Sequence, residues 1–259
     1  MRILLISGHG AGDSGATGTF GGRAWHEADE TRRVTAAVAA DLRAAGWEAE
    51  RYPVDRNAYE DYRKGTLAAI AQFARYDYVL EIHFNAFRAD PADGQAKGVE
   101  CYVPTAQEDD DAAAEICRRV AALGLPNRGV KRKNWSVIAA AQRAGTPAAL
   151  LEVCFIDDPD DMAIYTGQFD AVAAAIAAGL MAGLPEEEVE DEMTYETFCQ
   201  YLDRYLAERA EWPPSAWSAE AREWAQAEGL LRGDGDGRLR YRSFVTREEL
   251  AEVLYRALA

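Results

Sequence analysis

The sequence predicts an α/β fold: a mostly parallel, twisted sheet flanked by helices, followed by a small all-α C-terminal domain. Short apolar runs that fit buried strands alternate with helical stretches up to Leu184, which is the pattern of a layered α/β protein. A charged run, PEEEVEDE, then interrupts the chain, and only helical patterns follow it. We therefore divide the 259 residues into a large domain at 1–184, an acidic linker at 185–193 and a small helical domain at 194–259.

The predicted strands before Leu184 are short and apolar. RILLIS at the N-terminus ends in Gly8, and the two longest runs, YDYVLEIHF and PAALLEVCFI, are apolar enough to be buried in a covered sheet. In order along the chain, strands are predicted at 2–7, 47–54, 76–84, 98–103, 135–138 and 147–156.

The predicted helices show apolar residues at every third or fourth position. Val34, Val38 and Leu42 mark the first helix, and Gly46 ends it. Helices are predicted at 28–45, 59–75, 108–123 and 160–183. Because strands alternate with helices, most strands should run parallel, and ligands are expected just past their carboxyl ends.

Composition excludes several classes of function. The net charge is −16, whereas a surface for nucleic acid or an anionic membrane needs clustered Lys and Arg. The four cysteines form no CxxC pair, so we expect free thiols. No run approaches the roughly 20 apolar residues of a membrane span, and no export signal follows Met1. We therefore expect a protein that is synthesised in the cytoplasm and does not insert into a membrane.

Two of the three histidines, His9 and His83, lie where predicted strands end. If those strands are neighbours, both imidazoles meet at one edge of the sheet, and the strand at 147–156 brings Glu152 toward it. A carboxylate in a buried strand is costly unless it is paired, protonated or bound to a metal. Two imidazoles and one carboxylate, with a fourth position open for water, form a ligand set typical of hydrolytic zinc sites. The sequence therefore predicts a zinc hydrolase site.

The third zinc ligand is expected at the acidic start of the first helix, and the spacing alone leaves several residues open. The candidates are Glu27, Glu30, Asp29 and His26.

Glu81 shares a strand face with His83, so it either supports that imidazole or faces solvent. The ordinary alternative to a metal site is that His9 occupies a tight glycine turn and that both histidines are structural.

Other catalytic chemistries have weaker support. The glycine-rich stretch GHGAGDSGATG lacks GK[ST] and does not match GxGxxG, so a nucleotide-binding loop is not expected. Ser7 and Ser14 lack an evident His–Asp pair, and no cysteine has the surroundings of a nucleophile.

Four segments in a fixed order carry a family resemblance. They are SGHGAGDSGATG at 7–18, HEADE at 26–30, EIHFNA at 81–86 and LLEVCFIDDPDD at 150–161. In this order they resemble the zinc N-acetylmuramoyl-L-alanine amidases of the amidase type 3 family, over about residues 2–183. The stretch GVKRKNWSVI at 129–138 also looks like the part of the family that precedes its last strand.

The resemblance implies roles for individual residues. It makes His9, Glu27 and His83 the zinc ligands and Glu152 the catalytic acid and base. Asn85 and the alanine after it match family positions beside the metal. The implied reaction is hydrolysis of the amide that joins the lactyl group of N-acetylmuramic acid to L-alanine in peptidoglycan.

Two positions depart from the family pattern. Ile6 stands where the family often has Asp or Asn, and Glu81 stands where a small polar residue usually precedes the Ile-His pair. Both departures concern the surroundings of the metal, and they leave the four implied site residues in place.

The C-terminal tail resembles a single S-layer homology unit over 217–258, with its TRxEL helix start at Thr246. Such units usually occur in several copies and bind cell-wall polymers. One copy could bind the wall or pair with a second copy as a homodimer. Thr246 and Glu249 also fit a capping box, which is a structural feature only.

The sequence thus predicts a peptidoglycan amidase that acts at the bacterial cell wall. A lytic domain with a small tail and no export signal suggests a phage or prophage endolysin that a separate membrane-permeabilising protein releases; an autolysin exported by another route is the alternative. Two other functions stay open: a different zinc hydrolase of cell-wall peptides, and a non-catalytic cell-wall-binding protein.

Overall fold

The computed structural model describes residues 1–88, 92–184 and 194–258. The chain divides into two compact units, Met1–Glu187 and Glu188–Ala259. The predicted acidic linker at 185–193 lies outside the described residues.

The large unit is built on a six-stranded sheet with the order β4-β1-β5-β8-β6-β7. β4, β1, β5 and β8 run parallel, whereas β6 and β7 are parallel to each other and antiparallel to β8. The predicted mostly parallel α/β sheet is therefore confirmed, with one reversal between β8 and β6. The strands are β1 (Arg2–Ser7), β4 (Glu48–Arg51), β5 (Tyr78–Asn85), β6 (Val99–Val103), β7 (Asn127–Arg132) and β8 (Ala148–Phe155), with a separate hairpin of β2 (Thr17–Phe20) and β3 (Arg23–His26).

Helices cover both faces of the sheet, because alternate strand residues point to opposite sides and both sets are apolar. One core lies between the sheet and the long helices α1 (Glu27–Ala44), α4 (Asp111–Ala121), α6 (Pro159–Gly167) and α7 (Phe169–Gly183). The other face is covered by the short helices α2 (Ala58–Arg63), α3 (Leu67–Ala71) and α5 (Ser136–Arg143).

The second face carries the functional residues. Val79 and Leu150 lie in its apolar core, and the positions two residues further along the same strands, Glu81 and Glu152, line an open cleft. The face therefore changes from apolar to acidic toward the carboxyl ends of β5 and β8.

The predicted strand at 135–138 is wrong, because this stretch begins α5. Val137 and Ile138 are buried in the second core, and a four-residue apolar run does not distinguish a buried helix from a strand. The true strand lies just before it, at Asn127–Arg132, on the edge of the sheet. Its charged residues are typical of an edge strand and hide it from a search for apolar runs.

Two predicted long helices are each divided in the structure. The stretch at 59–75 breaks at Gly65, with φ 73°, and again at Gln72, with φ 48°. The stretch at 160–183 becomes α6 and α7, which meet at Gln168 with a bend of 84°. Within the described ranges no single helix has the length and apolarity to cross a membrane; α6 and α7 reach that threshold only together, as a bent pair.

The small unit is helical, as predicted, with α8 (Tyr195–Ala210), α9 (Ala219–Ala227) and α10 (Arg247–Leu258). The start of α10 has the predicted capping box: the Thr246 N–H donates to Glu249 Oε2 at 2.8 Å, and the Glu249 N–H donates to Thr246 Oγ1 at 3.2 Å. Within its described part, only Ala210 and Ala225 are buried apolar residues.

The four cysteines of the chain are free, as predicted.

Candidate metal centre

His9 lies in the glycine-rich loop that follows β1. Its φ is 59°, in the left-handed region that non-glycine residues seldom adopt, so the surrounding loop must hold it there. The Thr31 hydroxyl of α1 donates to the Gly8 carbonyl at 2.9 Å, and the Arg32 guanidinium donates to the His9 carbonyl at 3.0 Å. These bonds fix the loop against the first turns of α1.

Glu27 is the first residue of α1 and is almost fully buried. Each carboxylate oxygen accepts one backbone N–H: Oε2 from Ala16 at 2.8 Å and Oε1 from Phe84 at 3.0 Å. The carboxylate is therefore held in place from two different segments before any other partner is considered.

His9, Glu27 and His83 converge on one point. His83 Nδ1 lies 2.8 Å from Glu27 Oε1, and His9 Nε2 lies 3.1 Å from Glu27 Oε2. The two imidazole centroids are 5.0 Å apart, and the three potential ligand atoms all lie within 4.8 Å of one another. One ion could contact all three side chains with small adjustments.

The other candidates for the third ligand point elsewhere. Glu30 accepts a hydrogen bond from the Tyr165 hydroxyl at 2.7 Å and pairs with Arg33 at 3.4 Å. Asp29 and His26 are exposed. Of the four residues that the spacing left open, the structure brings only Glu27 to the two histidines.

The electrostatics of the cluster favour a bound cation. Burial alone would raise the pKa of Glu27, yet the hydrogen bonds from His83 and His9 lower it well below its usual range. Burial alone would lower the pKa of both imidazoles, yet contact with Glu27 and a second carboxylate raises it. The raised pKa values mean that the cluster favours positive charge, and a divalent cation would compete with protons for the same imidazole nitrogens.

A second carboxylate holds the far nitrogen of each histidine. His9 Nδ1 bonds to Asp13 Oδ2 at 2.7 Å, and His83 Nε2 bonds to Glu81 Oε1 at 3.2 Å. Such outer carboxylates orient histidines that ligate zinc and raise the basicity of the ligating nitrogen. Together with the donor set of two imidazoles and one carboxylate, this arrangement fits zinc.

Glu81 is therefore a partner of His83 and is only 4% exposed, so the alternative of a solvent-facing Glu81 does not hold.

Asp13 was not singled out by the sequence reasoning. Its signal was its position four residues after His9, but only the folded loop shows that the two side chains meet. Asn57 also donates to Asp13, at 3.2 Å, and ties the loop to the start of α2.

Glu152 lies on β8 directly beside His83 of β5. Its Oε2 is buried, and it has no hydrogen-bond partner among the described residues. Burial raises the pKa of this carboxyl to about 7, against the opposing effect of His83 and with help from the charge of Glu27. A carboxyl with such a pKa can take up and release a proton near neutral pH.

Asn85 reaches the cleft at the end of β5, and a buried glutamate holds it there. Its Nδ2 donates to Glu100 Oε1 at 3.0 Å, while its Oδ1 accepts the Ala86 N–H at 2.9 Å. Glu100 also pairs with Arg128 and Lys131, each at 2.5 Å. The sequence reasoning missed Glu100, although a glutamate in the apolar strand GVECYV gave the same signal as Glu152.

The predicted site residues share one cleft of about 510 Å³. Tyr59 of α2 stands at one wall, and Trp135, just before α5, stands at another. The cleft is large enough for several residues of a peptide or a sugar.

The fold and the cluster together define a class: an α/β protein with the donor set of a mononuclear metallohydrolase. The chain belongs to the N-acetylmuramoyl-L-alanine amidase family, whose model matches residues 3–182. This confirms the family resemblance that the four sequence segments carry. A search of proteins with curated functions finds no match to the sequence.

Several solved structures share the fold. Cwp6 from Clostridium difficile aligns with a TM-score of 0.59 and 24% identity, over 71% of this chain and 29% of that chain. The catalytic domain of the CD27L endolysin targeting Clostridia difficile aligns with a TM-score of 0.55 and 20% identity, over 72% of this chain and 99% of that domain. The amidase AmiC2 of Nostoc punctiforme aligns with a TM-score of 0.55 and 23% identity, over 70% of this chain and 96% of that chain. This chain thus spans less than a third of Cwp6.

Proposed function

We propose that this protein is a zinc-dependent amidase that hydrolyses the bond between N-acetylmuramic acid and L-alanine in peptidoglycan. One observation carries the proposal: His9, Glu27 and His83 converge beside the carboxyl of Glu152, whose Oε2 has no hydrogen-bond partner within the described part of the chain. The family supplies the substrate class, because its members are named for this amide bond.

His9, Glu27 and His83 would hold the zinc. When bound, zinc supplies Lewis-acid chemistry, which polarises a scissile carbonyl and makes water easier to deprotonate. Glu152 takes the proton from the attacking water and delivers it to the nitrogen of the leaving alanine, so the amide C–N bond breaks and a free amine departs. Asp13 and Glu81 keep the two imidazoles oriented throughout.

The substitution Glu152→Gln tests the role of the proton carrier. It keeps the shape of the side chain but replaces the carboxyl with an amide, which cannot take up and release a proton near neutral pH. We therefore expect the rate of amide cleavage to fall by about 100-fold or more. Digestion of purified peptidoglycan, followed by mass spectrometry of the muropeptides, measures the loss. Glu60→Gln, a change at a partly exposed position on α2, is the matched control and should leave the rate unchanged. Full activity of the Glu152 variant would remove this residue from the mechanism.

The products distinguish the amidase from other hydrolases of the cell wall. An amidase creates new amino groups on L-alanine without new reducing sugar ends. Cleavage within the stem peptide would instead support the alternative zinc peptidase. Zinc content after dialysis, compared between the wild type and a His9→Ala, His83→Ala double variant, tests the metal separately: we expect about one ion per chain, and its loss in the variant.

We also propose that the enzyme acts at the bacterial wall after release from the cell that makes it, as an endolysin does, and that its small unit binds wall polymer or a second copy. The exposed aromatic residues of α8, which include Tyr195 and Tyr201, support a contact of this unit with another molecule. Sedimentation of the full chain with purified walls tests the first mode, and its molar mass in solution tests the second.

A further inference from the structure

Trp135 is a half-exposed indole on a fixed loop at the rim of the cleft. It is 38% exposed, although the loop around it is well ordered by hydrogen bonds. The Lys133 N–H donates to the Val103 carbonyl at 2.9 Å, and the Trp135 N–H donates to the Lys133 carbonyl at 2.9 Å. The Asn134 side chain makes two further bonds to Thr105, at 2.9 and 2.8 Å. The loop thus holds a large apolar ring toward the cleft without burying it.

Lys133 places a positive charge against this ring. Its ammonium lies 3.5 Å from the centre of the Trp135 ring, which is a close cation–π contact. In the ranges 1–88, 92–184 and 194–258 no carboxylate pairs with Lys133, in contrast to Lys131, whose ammonium is bound by Glu100. In the part of the chain that the structure describes, the side chains that line the cleft include the carboxylates of Asp13, Glu27, Glu81 and Glu152 but no lysine or arginine. Lys133 is outside this lining, and its contact with Trp135, which is part of it, places a cation at the rim of the cleft.

The order of the strands fixes which part of a substrate this wall would meet. Along the sheet, β1 and β5 carry the residues next to the metal, β8 carries Glu152, and β6 follows. Trp135 packs edge-to-face on Tyr102 of β6, with ring centres 6.0 Å apart. Glu152 therefore stands between the metal ligands and the aromatic wall, about one strand spacing of 4.8 Å from β6.

The leaving amine must lie next to Glu152, because Glu152 gives it a proton. The peptide that carries this amine then extends past Glu152 toward Tyr102 and Trp135, while the muramoyl side remains over the metal ligands. In peptidoglycan the leaving peptide begins with L-alanine and continues with D-glutamate, joined through its γ-carboxyl. The α-carboxyl of that glutamate is free in some cell walls and amidated in others. Two extended residues span about 7 Å, which is longer than the strand spacing of about 4.8 Å between β8 and β6, so the second residue of the peptide can reach the side chains of β6 and the aromatic wall.

We propose that Trp135 and Lys133 form the binding site for the stem peptide: Trp135 packs against the alanine and the following peptide bond, and Lys133 pairs with the free α-carboxylate of the second residue. The site thereby selects peptides with an acidic second residue over amidated ones. This inference rests on the proposed amidase function, since it takes the leaving peptide as the ligand.

The test compares two muramoyl tripeptides that differ only in the second residue, D-glutamate or its α-amide. The wild type should cleave the acidic substrate with a kcat/KM about twofold to fivefold higher, the effect of one exposed ion pair. Lys133→Met should reduce the kcat/KM for the acidic substrate to that for the amide and leave the amide unaffected. Trp135→Ala should raise KM for both substrates more than it lowers kcat. Arg143→Ala, an exposed cation at the end of α5, is the control and should keep the wild-type preference.

Binding to the Glu152→Gln variant separates this inference from the proposed function. Calorimetry with the same two tripeptides needs no turnover, so it reports the preference even if neither compound is cleaved. Loss of preferential binding when Lys133→Met is added supports the inference. Equal binding of the two compounds by the parent variant, or a preference that survives Lys133→Met, overturns it. Failure of the wild type to cleave either compound in the presence of zinc, with preferential binding intact, contradicts the amidase function and not the peptide site.

Discussion

Replacement of Glu27 by glutamine should weaken both the fold and the metal site, although the two side chains have nearly the same shape. Each Glu27 oxygen accepts one backbone N–H and faces one imidazole, so an amide nitrogen at either position meets only donors. One buried N–H loses its acceptor, at about 1–3 kcal/mol, and a charge-assisted bond is lost at roughly another 1 kcal/mol. We therefore expect the free energy of unfolding of the metal-free protein to fall by about 2–4 kcal/mol.

Thermal unfolding in EDTA at pH 7, followed by circular dichroism, measures this effect. At roughly 2–4 °C for each kcal/mol in a domain of this size, the melting temperature should fall by about 5–15 °C. Glu60→Gln removes a partly exposed carboxylate that pairs with Arg63 and should change stability by less than about 0.5 kcal/mol. A zinc titration of the same variants should show binding lost only with Glu27→Gln. If Glu27→Gln melts with the wild type and binds zinc as tightly, the carboxylate is not the bridge between the histidines.

Two further predictions concern the hairpin of β2 and β3 and the protonation of the site. Gly18→Ala should destabilise the large unit by several kcal/mol in urea unfolding, because a Cβ there would lie 1.8 Å from the Ile156 carbonyl oxygen, whereas Gly167→Ala, with nothing within 4 Å, should be neutral. The pKa values of His9 and His83 are raised above 6.5 in the metal-free fold, so their contribution to stability is complete below pH 6.5 and is lost as the pH rises through the folded values. The melting-temperature increase caused by zinc should therefore grow from pH 5.5 to 8; a constant increase would contradict proton displacement by the metal.

The parts of the fold that the sequence predicts well are those in which burial has a clear period. The first helix, predicted at 28–45, is found at Glu27–Ala44, and the strand predicted at 147–156 is found at Ala148–Phe155. The hairpin formed by Thr17–Phe20 and Arg23–His26 was not predicted, because its residues are mostly exposed and show no apolar alternation. It forms because the loop after β1 returns to meet α1, which is a tertiary effect.

The candidate site shows the same contrast between local features, which the sequence reveals, and tertiary contacts, which it does not. The spacing of His9 and His83 after apolar strands was visible in the sequence, because strand ends are local features. The spacing did not distinguish Glu27 from Glu30, since both are buried and one turn of helix separates them, and only the family resemblance pointed to Glu27. In the structure, the position of the His83 strand relative to the start of the helix brings the Phe84 N–H and the His83 imidazole to Glu27.

Glu100 and Glu152 show how the fold assigns different states to two similar groups. They lie directly opposite each other on β6 and β8, and both are glutamates in apolar strands. Glu100 pairs with two cations, and its pKa is lowered although burial opposes this. Among the residues that the structure describes, none donates to Glu152 Oε2, and burial raises the pKa of this carboxyl to about 7. The ion pairs keep Glu100 charged, and this charge adds to the effect of burial in raising the pKa of Glu152, so Glu152 is the more readily protonated of the two carboxyls. In the proposed mechanism, the ion pairs at Glu100, two strands away from His83 on β5, therefore help to keep Glu152 available for proton transfer.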